Sequence, residues 1–533
     1  MNKLALKYFL VSSCLMVGLS IGGCSKKTEL GSGPYFDAPQ TAVQFYGKKP
    51  NPQDGRAGDK VTFEVVGLDK LKDFKFFINQ IPAEVVAVTD SLATVVIPEG
   101  TSSGPASVLT VDGQYFYGPI LKIDGRVSID RTFKIGNGAN GPIFTAYYNG
   151  AGNGMFLLGG AFSDFNNASA SSPVNSIVKI AGDGTVQEYS AGKGAFGGTV
   201  STILSLNSKY YIGGVLSGYG AHRVEGLTRL NDDCSIDTMV VDLVNPNGEK
   251  NPEADTARVP ALNAYLTGSV SRLFESKDQG IIAIGNFVSY YSYFYEGSQK
   301  DNYYVDQTEM YNFIRLDADG KLDSSYNFDE TIQKGRWKLN GGIADAIQLP
   351  DGKIIFVGSF TRFDGAPAAR ICALTDEGGL DPDFAANIGQ GADGDIQKIT
   401  YNKQTGKILV SGDFTQFDGH KANGIAMLNA DGTYDDSFAL GALSGGRPSF
   451  AGQLNDGKII VSGTFNKYND IVRQGFMILN QDGTLAAGYN NTGSFAGEIY
   501  GMVEINPHSV VLYGYFTLFD NVKVGNIVKI AFD

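Results

Sequence analysis

The sequence predicts an all-β protein: a small N-terminal β-sandwich, followed by a seven-bladed β-propeller closed by a strand from its N-terminal side. Three observations carry this. A segment of one pattern recurs about every fifty residues. Asp-Gly turns punctuate the chain at matching places in those repeats. No long stretch has a 3.6-residue apolar period, in a chain of 533 residues with 69 glycines and 11% aromatic side chains.

The N-terminus reads as an export signal. Lys3 and Lys7 precede an apolar run of about 15 residues, too short to span a bilayer. The run ends Ile21-Gly22-Gly23-Cys24, which resembles the lipobox of bacterial lipoproteins. That resemblance implies cleavage after residue 23, with Cys24 as the lipidated mature N-terminus and a stable membrane anchor. Loss of residues 1–23 removes two lysines and no acids, taking the formal charge from −13 to −15. A surface so acidic repels nucleic acid and anionic headgroups, so no nucleic-acid partner is expected and the membrane is reached through the lipid alone. Of four cysteines, Cys14 leaves with the signal and Cys24 is lipidated. Cys234 and Cys372 fall in non-adjacent repeats and are expected to be buried and unpaired.

Residues 24–39 are polar and bear Gly and Pro, as in a tether. Residues 40–122 hold short alternating runs, KVTFEVVGL (60–68), FKFFINQIPAEVVAVT (74–89), LATVVIPEG (92–100) and ASVLTVDGQYF (106–116), separated by turn residues. The stretch GDKVTFEVVGLD with INQIPAEVVAVTDSLATVVIPEGTSSGPASVLTV resembles the TIG (IPT) immunoglobulin-like family. The resemblance implies an immunoglobulin-like spacer or adhesion module, and no residue in it reads as a site.

Residues 123–533 carry the repeats. GKIIFVGSFTRFDG (352–365), GKILVSGDFTQFDG (406–419), GKIIVSGTFNKYND (457–470) and HSVVLYGYFTLFDN (508–521) are one segment four times. Their phenylalanines Phe360, Phe414, Phe465 and Phe516 are spaced 54, 51 and 51 residues apart. Worn copies place Phe162, Leu216 and Phe287 upstream, making seven units of four strands each. The last unit stops after its third strand, whereas an orphan fourth-strand segment, IDGRVSIDRTF (123–133), precedes the first. That strand is expected to complete the last blade and remove the open edge. LDPDF (380–384), LPDGKIIFVGSF (349–360) and LNADGTYDDSF (428–438) resemble the delta-60 repeat family of propellers, which implies the fold and names no activity.

A residue repeated in every blade belongs to the blade, so the recurring Phe-Asp after Gly-x-Phe (Phe363-Asp364, Phe417-Asp418, Phe519-Asp520) reads as packing and turn. Function is sought where the repeat breaks. From Phe360, Phe414, Phe465 or Phe516 to the next acidic turn or chain end is 17 residues, but from Phe287 to Asp319 it is 32. The extra residues lie in 288–313 and bring Tyr290, Tyr291, Tyr293, Tyr295, Tyr303, Tyr304 and Tyr311. A second insertion falls within 244–268. In an up-and-down blade the loop after strand two and the connection after strand four leave at one end, so both insertions are expected side by side on one face. Arg336 and Trp337, on the connection into the fourth blade, join that face. Tyr290, Tyr291, Tyr293, Tyr295, Tyr303, Tyr304, Arg336 and Trp337 are the candidate ligand contacts: tyrosine stacks on sugar rings and hydrogen-bonds through its hydroxyl, and it serves protein contacts equally well. The alternative is that the tyrosines pack the insertion onto the ring and that Trp337 plugs it.

Catalytic chemistry is thin. His222, His420 and His508 lie in three different blades, which argues against zinc or a Ser-His-Asp site. Asp317, Asp319 and Asp323 have calcium-loop spacing without the later Glu of an EF-hand. No catalytic residue, metal or cofactor is therefore expected. The expectation is a non-catalytic binding or adhesion lipoprotein, resembling those of Bacteroidetes outer membranes and facing the exterior. It would capture a glycan or a surface protein, as a monomer or within an outer-membrane complex. A propeller-fold polysaccharide hydrolase or lyase, and a purely architectural partner of a larger complex, are the alternatives.

Overall fold

The computed structural model describes residues 43–150, 154–167, 174–187, 196–246, 255–300 and 302–533. The signal sequence, Cys24 and the tether lie outside the described residues.

At the N-terminal end two sheets enclose one core. One runs Gln44–Phe45, Lys60–Val66, Leu92–Val96, Val85–Val88; the other runs Asp54–Gly55, Tyr115–Ile123, Gly104–Thr110, Phe74–Ile78, Ile81–Ala83. Alternation along the strands sends Val61, Phe63, Val65, Phe76, Ile78, Val108 and Leu121 inward.

The rest of the chain repeats one antiparallel sheet. Its first strands are Ile143–Asn149, Phe196–Leu206, Tyr265–Glu275, Ile343–Gln348, Asp395–Asn402, Pro448–Gln453 and Ala496–Asn506. Each pairs with a second strand, Met155–Gly160, Lys209–Tyr219, Ile281–Gln299, Ile354–Gly358, Lys407–Asp413, Ile459–Gly463 or Ser509–Phe519. That strand pairs in turn with a third, Ile177–Ala181, Leu227–Asn231, Phe313–Leu316, Ile371–Leu374, Ile425–Asn429, Phe476–Leu479 or Ile527–Phe532.

The second strands are apolar on both faces because each face packs on a different neighbour. Ile354 and Phe356 share a core with Ile282, Ile284 and Phe313, whereas Ile355 and Val357 share the next with Ile396, Ile408 and Val410. The succession ends where it began: Val511 and Ile527 pack with Ile143, Phe156 and Leu158, so the sheets form a closed ring. The N-terminal segment Val127–Ile129 lies antiparallel on Ile527–Phe532 and covers the edge of the last sheet.

The fourth strands are shorter than the repeats predict. Beyond the Asp-Gly turns they shrink to single bridges, among them Leu374 to Leu380, Leu428 to Tyr434 and Leu479 to Leu485. The reason is local. Asp435 turns the chain by accepting from Ser437 N and is held by Lys407, while Asp381 caps a short helix, Pro382–Ile388.

The recurring Phe-Asp pair has the same kind of cause. Phe363, Phe417 and Phe519 are buried, and the next two residues have positive φ: Asp364 (49°) with Gly365 (80°), Asp418 (46°) with Gly419 (79°), Asp520 (50°) with Asn521 (60°). Two left-handed residues make the tight hairpin turn that suits twisted strands. Asp418 Oδ1 also accepts from Gln390 N (2.9 Å) and Asp520 Oδ1 from Gly493 N (2.7 Å), tying each turn to the incoming connection.

The N-terminal sheet pair is hydrogen-bonded to the ring. Asn491 accepts from Val127 N (3.2 Å) and donates to the carbonyls of Val127 (2.9 Å) and Ile123 (3.3 Å), while Ser103 N and Oγ donate to Asn491 O. Arg473 Nη1 donates to Gly100 O (3.2 Å), and burial lowers its pKa to about 10.

Candidate functional site: two packed hairpins and the ring channel

Both sequence insertions are β-hairpins, and they pack on each other. The second strand Ile281–Gln299 runs on past its blade and pairs there with Asn302–Glu309. The second insertion pairs Thr238–Leu243 with Asp255–Pro260, and the residues linking them lie outside the described set. Leu243, Val259 and Tyr295 form the shared core, bordered by Met239, Val241, Ala257, Tyr293 and Tyr303. Asn263 locks the junction, accepting from Tyr293 N (2.9 Å) and donating to Tyr293 O (2.8 Å). The result is a two-hairpin tower on one face of the ring.

Alternation decides which tyrosines reach solvent. The odd-numbered residues of Ile281–Gln299 face the partner hairpin and the ring. Tyr291 and Tyr295 are buried, and Tyr293 and Tyr303 are half-buried. Tyr291 stacks on Tyr265 (centroids 4.9 Å, planes 11° apart) and donates to Glu225 Oε2 at 2.5 Å, with Arg223 Nη2 3.4 Å from its hydroxyl. Burial raises the pKa of Tyr291 and takes that of Tyr295 to about 12. Tyr290, on the other face, is buried against the ring and donates to Gly320 O (2.9 Å). Tyr290, Tyr291 and Tyr295 are therefore corrected from ligand contacts to packing residues, because their rings are spent on the tower's foundation.

Past Tyr290 the even-numbered face opens to solvent at Phe294 and Glu296. Phe294 and Tyr304 sit opposite each other across the hairpin, both 56% exposed, with Val288 exposed on the same strand. Phe294 has no counterpart among the sequence candidates. A tyrosine count passes over it, although its even position among odd-numbered tyrosines signals the opposite face.

Trp337 is 69% exposed and is no plug. Its ring lies against Tyr311 (centroids 4.9 Å) and its Nε1 donates to Leu339 O (2.5 Å). The ion pair of Lys334 with Glu309 (2.8 Å) ties this connection to the edge strand of the tower. Arg336 is exposed beside it, with its backbone N–H donating to Asn327 O (3.1 Å). His420 stacks on Tyr434 within its own blade, 3.2 Å from Asp436. Asp317 Oδ1 accepts from Asp319 N and Lys321 N, and Asp323 is paired with Arg315, so two carboxylates of the calcium-like spacing are engaged in turn capping and ion pairing.

A second feature was not visible in the repeats. Every first strand carries a register shift at the same place, skipping Phe144, Ser201, Ser271, Ala344, Gln397, Ser449 and Tyr500. The residues that follow are Thr145, Thr202, Arg272, Asp345, Lys398, Phe450 and Gly501. Three consecutive blades thus place charge at one level of the channel. Asp345 binds Arg272 Nη2 (2.6 Å) on one side and Lys398 Nζ (2.9 Å) on the other. Burial would push the Asp345 carboxyl up, but the two cations outweigh it and hold its pKa low.

Three stretches of the chain, residues 349–384, 403–438 and 454–485, match the family described as "Domain of unknown function (DUF5122) beta-propeller". No curated protein matches the sequence. Among solved structures the chain is similar to a structural genomics protein of unknown function from Bacteroides thetaiotaomicron (12% identity, 93% of this chain and 98% of that one, TM-score 0.29). It is also similar to the Dos1 propeller (10%, 77% and 95%, TM-score 0.36) and to an auxiliary nutrient binding protein from Bacteroides ovatus (13%, 72% and 97%, TM-score 0.20). With the family match falling on three consecutive sheets of the closed ring, the chain is an all-β protein that contains a β-propeller.

Proposed function

We propose that this protein is a non-catalytic surface lipoprotein that captures a glycan on its two-hairpin tower. In this reading the ring is a seven-bladed propeller of residues 123–533, the sheet pair is an immunoglobulin-like spacer of residues 40–122, and Cys24 carries the lipid in the outer membrane. The observation that carries it is the Phe294–Tyr304 pair, two aromatic rings held in register on a hairpin whose other face is packed. The paired strands hold the two side chains next to each other, so a ligand that stacks on both orders side chains and no backbone. Trp337, braced by Tyr311, offers a second exposed ring on the connection tied to the tower.

The test is a glycan array probed with the full chain and with Phe294→Ala/Tyr304→Ala and Trp337→Ala. Binding that the double variant loses, with the sugar recovered unchanged, supports capture on the tower. Failure of the unaltered protein to bind any sugar sinks the glycan reading and turns the search to a protein partner.

A further inference from the structure

The tower is not the only place where the repeat breaks. At the bulge level of the channel the blades supply two cations and one carboxylate. Asp345 is satisfied: besides Arg272 and Lys398, its oxygens accept from Ala346 N (2.9 Å) and Ile399 N (3.4 Å). The cations are not equally satisfied. Arg272 Nη1 donates to the carbonyls of Ser271 (3.0 Å) and Ser201 (3.3 Å). Lys398 Nζ has, among the described residues, Asp345 Oδ2 as its acceptor and two further protons to place. The side chains of Asp345, Lys398 and Arg272 are 3%, 16% and 23% exposed, so one surplus positive charge sits almost out of bulk water. An unpaired interior charge is costly, and an anion beside it relieves that cost.

There is room for one. Arg272 and Lys398 line a cavity of about 210 Å³ with Thr400, Tyr401, Gln453 and Tyr500. Tyr513 closes its far side from the last blade, where Gly501 leaves space for the phenol: a Cβ there would stand 2.2 Å from the Tyr513 hydroxyl. The wall sets the rings of Tyr401, Tyr500 and Tyr513 beside the polar Thr400 and Gln453 and the apolar Ile347 and Met502, and ring faces next to hydrogen-bonding groups suit a pyranose. The cavity residues lie downstream of the bulges. The first strand starts at the tower end, where Tyr265 meets Tyr291, and finishes at the opposite end, where Glu275 meets Ile281. The cavity thus lies toward the face away from the tower and is separate from it.

We propose that this channel cavity is a second binding site, for a carboxylated monosaccharide unit whose carboxylate lies between Lys398 and Arg272. Such a ligand brings the missing negative charge and fills a space of about one sugar ring. Asp345 acts as a positioning residue: it sets the two cations on either side of itself and does not touch the ligand.

The test is calorimetric titration of the full protein with glucuronate and galacturonate, and with glucose and galactose as neutral controls. The expected result is binding of an acid and none of its neutral counterpart, weakened at least about tenfold in Lys398→Met, as loss of a charge-assisted hydrogen bond implies. Any heat from sugar stacked on the tower is lost in Phe294→Ala/Tyr304→Ala, so repeating the titrations in that variant reads the channel alone, with the acid still bound and its neutral counterpart still not. If Lys398→Met does not fold, the acid-against-neutral comparison on the unaltered protein still decides. Equal binding of acid and neutral sugars, no binding of either acid, or undiminished binding in a folded Lys398→Met protein overturns the proposal. Parallel titration with an acidic polysaccharide separates a free sugar acid from a glycan end as the source, and binding of either kind supports the site.

Discussion

Tyr291 donates its hydroxyl to Glu225 at 2.5 Å while its ring lies flat on Tyr265, so one side chain joins the tower to the loop of the preceding blade. Tyr291→Phe keeps the stacking and removes the hydrogen bond to a carboxylate that is partly solvated. A loss of about 1 kcal/mol is expected, seen as a lower denaturant midpoint with unchanged slope.

The two faces of the same hairpin should respond differently to truncation. Tyr295→Ala empties the core between the hairpins and should cost about 3 kcal/mol. Tyr304→Ala removes an exposed ring and should stay within about 0.5 kcal/mol of the unaltered protein. Thermal unfolding of the two variants side by side checks the assignment, and equal losses would contradict it.

The channel ion group makes stability depend on acid. Asp345 has a folded-state pKa below its ordinary 3.8, so its contribution is present above that value and is lost as the pH falls through the lower folded value. Asp345→Asn leaves Lys398 and Arg272 facing each other without their counter-charge, and about 3 kcal/mol or more should be lost at neutral pH. The difference in stability between variant and parent should narrow in strong acid. A constant difference from pH 7 to pH 2 would show that the carboxylate is not held by the cations.

Asn491 is the joint between the N-terminal sheets and the ring. Asn491→Ala strips the acceptor from Val127 N and leaves two backbone carbonyls short of a donor, at a cost of about 1–3 kcal/mol. Limited proteolysis should then cut near residues 123–127 faster than in the unaltered protein, while the ring stays intact.

Cys24 lies outside the described residues, and its role stands on the Ile21-Gly22-Gly23-Cys24 pattern. Cys24→Ser should move the protein from the membrane fraction to the soluble fraction of the envelope, read by fractionation and immunoblot.

Much of the ring was legible in the sequence because its signals are local. Gly-x-Phe, the Phe-Asp hairpin turn and Asp-Gly each depend on a few neighbouring residues, such as Asp364 and Gly365 taking positive φ together. The pairing of Val127–Ile129 with the last strand was also legible, since one unit lacked a strand and an orphan strand stood upstream. The truncation of the fourth strands was not, because it depends on where Asp435 and Asp381 bend the chain after a single bridge.

The sequence by itself determined where the chain departs from its repeat, and hence that residues 288–313 are inserted beside a second insertion. Only the tertiary structure decided which side chains of that insertion are free. A period of two says that Tyr291, Tyr293 and Tyr295 share a face and that Phe294 is on the other, but not which face a neighbouring hairpin covers. The same limit hid Arg272, Asp345 and Lys398. Successive members lie 73 and 53 residues apart in sequence, and they become one group because the ring brings equivalent positions of successive blades together around the channel.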